Sequence, residues 1–451
     1  MVAAGGLMRD SGYPAAPSRS SRRVQCDQAW YASGVVDSTN ERGWQPLIMD
    51  PDRRAAIAAI IVEIVAAVEA WRRDHPASSD GNADYATLRI YTATDDTVPD
   101  PEDEAGQALA AAVSGIAECQ NPSLYGGVAR VAFAVGHLSA GDDADAACEI
   151  IEGSLLRYLE QPTESYDLIS GLVGIAVPVL QRIADGRPST TSEPLARIIL
   201  DQLERLARPV PAGLAWHTPP ALLPEWQREL APEGYFNLGL AHGIPGIVAI
   251  LARYLTAGVE VARVRPLLDG AVGYLRAVAS PIAGSRYPAW LPPNRPEAQT
   301  RVAWCYGDLG VAVALMAAAT ATGRADWRAD ALALAHGMAA RTFAQSQAID
   351  AGLCHGAAGV AHLFNRMAQA TGDAVLGQAA DTWFAQAVAM RRSEAVGGFP
   401  RANPASGTIV WEPEADLLTG ATGVALALHA AISPIEPAWD QLLLADLSPS
   451  T

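Results

Sequence analysis

The sequence predicts an all-α fold: an α/α toroid, with an inner ring of helices wrapped by an outer one. Two observations and one physical rule point there. A unit of Gly-x-x-Gly, then Val or Ile, then an alanine-rich apolar run recurs along the chain. Longer amphipathic segments alternate with these runs. A helix apolar on all sides must be buried, whereas an amphipathic one covers it and meets water. Two concentric layers satisfy both demands. An open superhelical stack of helix hairpins is the competing geometry for any internal repeat.

Taken in order, residues 1–50 lack clean periodicity and are rich in Gly, Pro and Ser. They read as a loose arm or surface strap, ahead of a single domain over 51–451. Residues 52–73 read as one long helix, with Pro51 at its start where a missing N–H costs nothing. The polar, acidic stretch 74–103 reads as loop, and 104–118 as a shorter helix. The repeat then begins. It stands at Gly171/Gly174, Gly243/Gly246, Gly307/Gly310, Gly356/Gly359 and Gly420/Gly423, with a degenerate copy at Gly127 in which Arg130 replaces the second glycine. First glycines are 44, 72, 64, 49 and 64 residues apart. The amphipathic segments are 143–160, 193–207, 262–278, 326–343 and 373–390, with a last one at 436–446.

Three connections depart from the pattern. Residues 208–236 and 280–300 are rich in proline and aromatics, and 391–416 contains Gly397-Gly398-Phe399-Pro400-Arg401 and Trp411. Each leads into a Gly-x-x-Gly helix start, so all three are expected on one face, where loops on a rigid scaffold do the binding.

Composition excludes several classes. A formal net charge of -17 argues against nucleic acid and against a basic membrane-binding surface. The apolar runs are too short to span a membrane. Five irregularly spaced cysteines do not form a disulfide framework, and a reducing cytosol is expected.

The chemistry gathers at two stretches, Arg301-Val-Ala-Trp-Cys-Tyr-Gly307 and Gly352-Leu-Cys-His-Gly356. Cys305, Cys354 and His355 sit beside neighbouring inner-helix starts, which a toroid brings together. Two thiolates and one imidazole suit zinc, and three protein ligands leave a fourth position open, as in catalytic sites. Asp167, His242, Arg301 and Tyr306 occupy comparable positions. Asp167 could equally be a helix cap. His336-Gly337 imitates His242-Gly243 but lies inside an outer-helix pattern and is left out of the site.

Together, Tyr166-Asp-Leu-Ile-Ser-Gly171, Asn237-Leu-Gly-Leu-Ala-His-Gly243, the two cysteine stretches and Leu418-Thr-Gly-Ala-Thr-Gly423 resemble the lanthionine synthetase C-like family, the cyclases of lantibiotic biosynthesis. The resemblance implies an α/α barrel of seven helical pairs with zinc on Cys305, Cys354 and His355. It also places Asp167, His242, Arg301 and Tyr306 at active-site positions. Only six copies of the motif are present. The remaining pair is expected either from the helices at 52–73 and 104–118 or within the gap between Gly171 and Gly243.

The implied reaction is intramolecular addition of a peptide cysteine thiol to dehydroalanine or dehydrobutyrine, forming a (methyl)lanthionine thioether. Zinc would ionise the thiol, which is otherwise mostly protonated at neutral pH. Arg301 would stabilise the enolate-like charge. His242 would return the proton, oriented by Asp167, and Tyr306 would donate a hydrogen bond. The implied partners are a dehydrated precursor peptide and a separate dehydratase and exporter complex at the inner membrane face. The chain itself reads as a standalone cytoplasmic cyclase. Two alternatives stand beside this one. The first is a family member that binds glutathione or adds thiols to proteins. The second is an α/α-barrel glycosidase, which would need a carboxylate partner for Asp167 such as Asp308 or Glu412.

Overall fold

Every apolar run of the repeat is a helix that begins one residue after a glycine. The computed structural model describes residues 43–75, 78–280, 284–292, 299–405 and 408–449. The predicted arm therefore lies largely outside the described residues. Its last part is packed, with Trp44 and Ile48 buried.

In chain order the first helices are α1 (Pro51–Asp74), α2 (Ser79–Thr94), α3 (Glu104–Gly115), α4 (Val128–Leu138), α5 (Asp142–Tyr158), α6 (Leu172–Ala184) and α7 (Ser192–Leu206). Strands β1 (Ala207–Val210) and β2 (Gly213–Thr218), the short helix α8 (Glu225–Leu230) and β3 (Tyr235–Asn237) follow. Next come α9 (Ile244–Thr256), α10 (Val261–Val278), β4 (Trp290–Leu291), α11 (Asp308–Thr322), α12 (Ala325–Ala339) and α13 (Phe343–Ser346). The described chain continues through α14 (Ala357–Thr371), α15 (Ala374–Ala389), β5 (Arg401–Ala405), β6 (Thr408–Glu412) and α16 (Ala421–Ile432).

The apolar helices form one layer. Along it α2 packs on α4, α4 on α6, α6 on α9, α9 on α11, α11 on α14, α14 on α16, and α16 on α2. Each also carries an amphipathic partner: α3 on α2, α5 on α4, α7 on α6, α10 on α9, α12 on α11, α15 on α14, and α1 on α16. The fold is thus largely α-helical with small β-sheets, consistent with an α/α toroid. Among the described residues, no helix is long and apolar enough to cross a membrane.

The glycines have a steric cause. A Cβ on the second glycine of each unit would collide with the carbonyl oxygen six residues earlier: Leu168 for Gly174, Leu240 for Gly246, Trp304 for Gly310, Leu353 for Gly359 and Leu417 for Gly423. The entry loop folds back onto the first turn of its own helix, and only a residue without a side chain lets it come so close. At the degenerate copy, Arg130 instead reaches across to α2 and pairs with Asp84.

Several expectations need correction. The fold is not all-α. Residues 207–237, read as a loop or a hidden helical pair, form an antiparallel sheet in the order β1-β2-β3-β4, which recruits β4 from the second proline-rich loop. Tyr235 and Trp290 of the sheet join Leu223 and Ala231, which flank α8, in a small core. The hairpin β5–β6 is the other sheet. Within the stretch 74–103, read as loop, lies the inner helix α2. The helices at 52–73 and 104–118 do not pair with each other, since α1 covers α16 and α3 covers α2. The segment 436–446 forms only a short 3-10 turn over 438–443.

That last segment passes between the inner helices. Asp440, fully buried, accepts hydrogen bonds from Arg366 and sits 2.7 Å from His362 Nε2 on α14. The Trp439 N–H donates to Tyr91 on α2, and Asp446 pairs with Arg253 on α9. A buried ion pair of this kind gives little net stability, but removing one member leaves a buried charge unpaired and is costly.

The steric argument predicts opposite outcomes for two glycines. Gly359→Ala forces a methyl group onto the Leu353 carbonyl and is expected to cost about 1–3 kcal/mol or more. Gly337→Ala, on the exposed face of α12 with nothing near its Cβ position, is expected to stabilise by about 0.5–1 kcal/mol. Denaturant midpoints of the two variants decide it.

Candidate metal centre and active site

The entry loops are in register with one another. Six residues before the second glycine, or before Arg130 in the degenerate copy, stand Leu124, Leu168, Leu240, Trp304, Leu353 and Leu417, all buried. One residue on stand Tyr125, Ile169, Ala241, Cys305, Cys354 and Leu418. The next position holds Gly126, Ser170, His242, Tyr306, His355 and Thr419. The two cysteines therefore occupy the same position of adjacent units. The two histidines and Tyr306 share the position after it.

Main-chain hydrogen bonds tie each loop to the next. Tyr125 N–H donates to Ile169 O (3.1 Å), Leu168 N–H to Ala241 O (3.0 Å), and Ala241 N–H to Cys305 O (3.4 Å). Cys305 N–H then donates to Cys354 O (3.2 Å) and Cys354 N–H to Leu418 O (2.8 Å). The Leu417 N–H completes the series by donating to Asp84 on α2 (3.1 Å). Because Cys305 bonds directly to Cys354, equal register becomes physical proximity. The ligand atoms of Cys305, Cys354 and His355 all lie within 4.8 Å of one another.

The donor set fits a small borderline-soft cation with bonds of about 2.0–2.3 Å. Both cysteines are free thiols. Cys305 is held well below the usual thiol range by a hydrogen bond from Cys354, by His355 and by the Arg301 charge, which together outweigh its burial. Cys354 is pushed well above that range by the same hydrogen bond and by burial beside the Cys305 charge. The two shifts are opposite in sign, so Cys305 is the thiol of the pair that ionises more readily. Burial pulls His355 down, but its hydrogen bond with Cys305 and that thiolate charge raise it overall.

The other predicted residues converge on the same end of the helix layer. His242 Nδ1 lies 2.6 Å from Asp167 Oδ2. The other carboxylate oxygen of Asp167 accepts from the Ser170 N–H (2.8 Å) and hydroxyl (3.1 Å). Asp167 is not the helix cap considered for it, since Gly171 caps α6 without a side-chain bond; it braces the turn before the helix and partners His242. The His242 ring stacks on Tyr306, centroids 6.1 Å apart. Arg301 has no hydrogen bond described, but its charge favours the thiolate at both cysteines. His336 sits on outer helix α12 and pairs with Asp373, away from these groups.

One contributor was missed. Asn237, nearly fully buried at the end of β3, donates to the Tyr306 hydroxyl (3.1 Å) and accepts from the Gly239 N–H (2.9 Å). Its position in the Asn237–Gly243 stretch was the available signal. The two carboxylates nominated for a glycosidase are already engaged. Asp308 accepts the Arg286 and Tyr287 N–H groups, and Glu412 pairs with Arg401. A cavity of about 1020 Å³ lies at the other ends of the inner helices, bordered by His137, Gln181, Arg253 and Leu447, and takes no part in this site.

Burial is the largest single influence on His242 and lowers its pKa. The hydrogen bond and charge of Asp167, with a contribution from Cys305, more than reverse it. A pKa raised in the folded state stabilises the protein fully below the unfolded value and loses that effect as pH rises through the folded value. Asp167→Asn is therefore expected to drop His242 below the ordinary histidine range. Its protonation-linked stability deficit is expected to be largest in mildly acidic buffer and to shrink toward alkaline pH. NMR titration of the His242 ring, with denaturation at several pH values, measures both.

Comparison with known proteins follows from this geometry. The solved structure of a nisin cyclase superposes with a TM-score of 0.65 at 17% sequence identity, covering 88% of this chain and 98% of its own. At that identity the likeness concerns the fold. No curated protein sequence matches the chain. The family description "Lanthionine synthetase C-like protein" matches residues 85–444, from inside α2 into the buried C-terminal segment. The chain belongs to the lanthionine synthetase C-like family.

Proposed function

We propose that the protein is a zinc-dependent cyclase. It would join cysteine thiols of a dehydrated precursor peptide to dehydroalanine or dehydrobutyrine and so form (methyl)lanthionine rings. The observation that carries this reading is the convergence of Cys305, Cys354 and His355, donor atoms within 4.8 Å, at the same end of the helix layer as the His242–Asp167 pair. Family membership supports it. The scaffold is read as a closed barrel of seven inner–outer pairs, supported by the succession of inner-helix contacts that leads from α2 back to α2.

Zinc held by Cys305, Cys354 and His355 would supply the positive charge that ionises an incoming thiol. Two thiolate ligands leave little net charge on the ion, which keeps a substrate sulfur nucleophilic. In the addition the sulfur forms a bond to the β-carbon, the carbon–carbon double bond opens, and negative charge moves onto the amide oxygen. Arg301, whose charge already acts on both cysteines, would stabilise that charge. His242, its Nδ1 engaged by Asp167, is left with Nε2 as the titrating nitrogen and returns a proton to the α-carbon. Tyr306, accepting from Asn237, keeps its own O–H as a donor. A separate dehydratase would supply the peptide, and an exporter complex would take the product.

Ring formation is an isomerisation, so loss of alkylatable thiol on the peptide reports it where mass does not. The wild type is expected to hold about one zinc per chain and to consume peptide thiols. Cys305→Ala and Cys354→Ala should lose the metal. His242→Asn should keep it and slow the reaction by about 10²-fold or more. A folded wild type prepared without chelator and free of zinc sinks the thiol-activation mechanism. A zinc-loaded protein that leaves peptide thiols intact but adds glutathione to dehydroalanine marks the thiol-adding alternative.

A further inference from the structure

One residue breaks the pattern of the entry loops. The position six before the second glycine, or before Arg130, is leucine in five copies and tryptophan at Trp304, next to Cys305. The leucines and the tryptophan are all buried, so burial alone does not call for the exception. Trp304 differs in having a donor, and its indole N–H donates to the Leu443 carbonyl at 2.8 Å. Beside it, the Tyr125 hydroxyl donates to the Leu442 carbonyl at 2.8 Å. The Tyr125 and Trp304 rings meet edge-on with centroids 6.4 Å apart.

The segment that receives these bonds is itself anchored from below. Asp440 is held by Arg366 and His362, the Trp439 N–H by Tyr91, and Asp446 by Arg253. It thus runs from a buried charge cluster up to the underside of the loop that carries Cys305. We infer that the C-terminal segment 438–447 acts as a strut that positions Cys305 for the metal, with Trp304 as the positioning residue that transmits it. This rests on the metal reading above. Partners that orient a metal ligand commonly alter affinity by about 10–100-fold when removed, and a fixed backbone acceptor behind the ligand's neighbour acts in the same sense.

The test is metal affinity, measured for zinc by chelator competition, with the thiolate-to-metal absorption of the cobalt(II) form as a second readout. Trp304→Phe keeps a ring and removes the donor. It is expected to weaken zinc binding about tenfold and to change the cobalt charge-transfer band. Trp216→Phe is the control. Trp216 is equally buried and donates to the Leu203 carbonyl at 2.8 Å, but no metal ligand adjoins it. It should lower the melting temperature of the metal-free protein comparably while keeping wild-type zinc affinity. Tyr125→Phe, which frees the neighbouring strut bond, should shift affinity in the same direction as Trp304→Phe but less, and it decides the matter if Trp304→Phe does not fold. Wild-type affinity in both strut variants, or an equal loss in Trp216→Phe, overturns the inference while leaving the metal reading standing. A wild type that binds no zinc overturns both.

Discussion

Every entry loop but the last donates a main-chain hydrogen bond to the loop of the next unit, and the site depends on this sequence of bonds. A bond such as Cys305 N–H to Cys354 O contributes only about 1 kcal/mol in net terms. Its value lies in register. It fixes residue against equivalent residue, so that two cysteines separated by 49 positions in sequence share one pocket. The glycines make it available, because each loop must lie flat on its own helix before its edge can face the neighbour. Where the first inner helix has no such loop, a carboxylate stands in. Asp84 takes the Leu417 N–H on one oxygen and the Arg130 guanidinium on the other.

The same arrangement explains the electrostatics. Cysteine thiols in apolar surroundings are ordinarily pushed up and inert. Here the position after each cysteine brings in a histidine or tyrosine, and Arg301 lies at the start of the Cys305 loop. The hydrogen bond from Cys354, with His355 and Arg301, therefore outweighs burial and favours the charged form of Cys305. Asp167 does the corresponding service for His242, with its second oxygen tied to Ser170 so that the carboxylate stays in place.

What could be read from the residues was whatever is local. Gly-x-x-Gly marks a helix start because the steric conflict lies within one loop and one turn, and the boundaries of the five outer helices from α5 to α15 followed from amphipathic spacing. The metal ligands were legible because equal register in a repeat is a one-dimensional fact. The inner helix α2 was not. Its polar appearance comes from Asp84, Thr87, Arg89 and Thr92, which are nonetheless buried. The two threonine hydroxyls bond back to the carbonyl four residues earlier, Arg89 pairs with Asp100 in the next loop, and Asp84 pairs with Arg130 on α4. The sheet was hidden for a related reason, since its last strand is two residues long and exists only through β3. Trp304 was named in the motif, but its partner is a backbone carbonyl 139 positions away, and a backbone acceptor leaves no mark in the sequence.

The pairing of α1 with α16 has a consequence for how the chain comes off the ribosome. Every other outer helix is made directly beside its inner partner and can dock within moments of emerging. The first long helix cannot. Its five buried apolar residues, Ile57, Ile61, Ile64, Val65 and Val68, find most of their cover in the turn Val396–Gly398 and in α16, more than 300 positions later. Until that cover has emerged α1 is an orphan amphipath, with an apolar face open to chaperones and to aggregation.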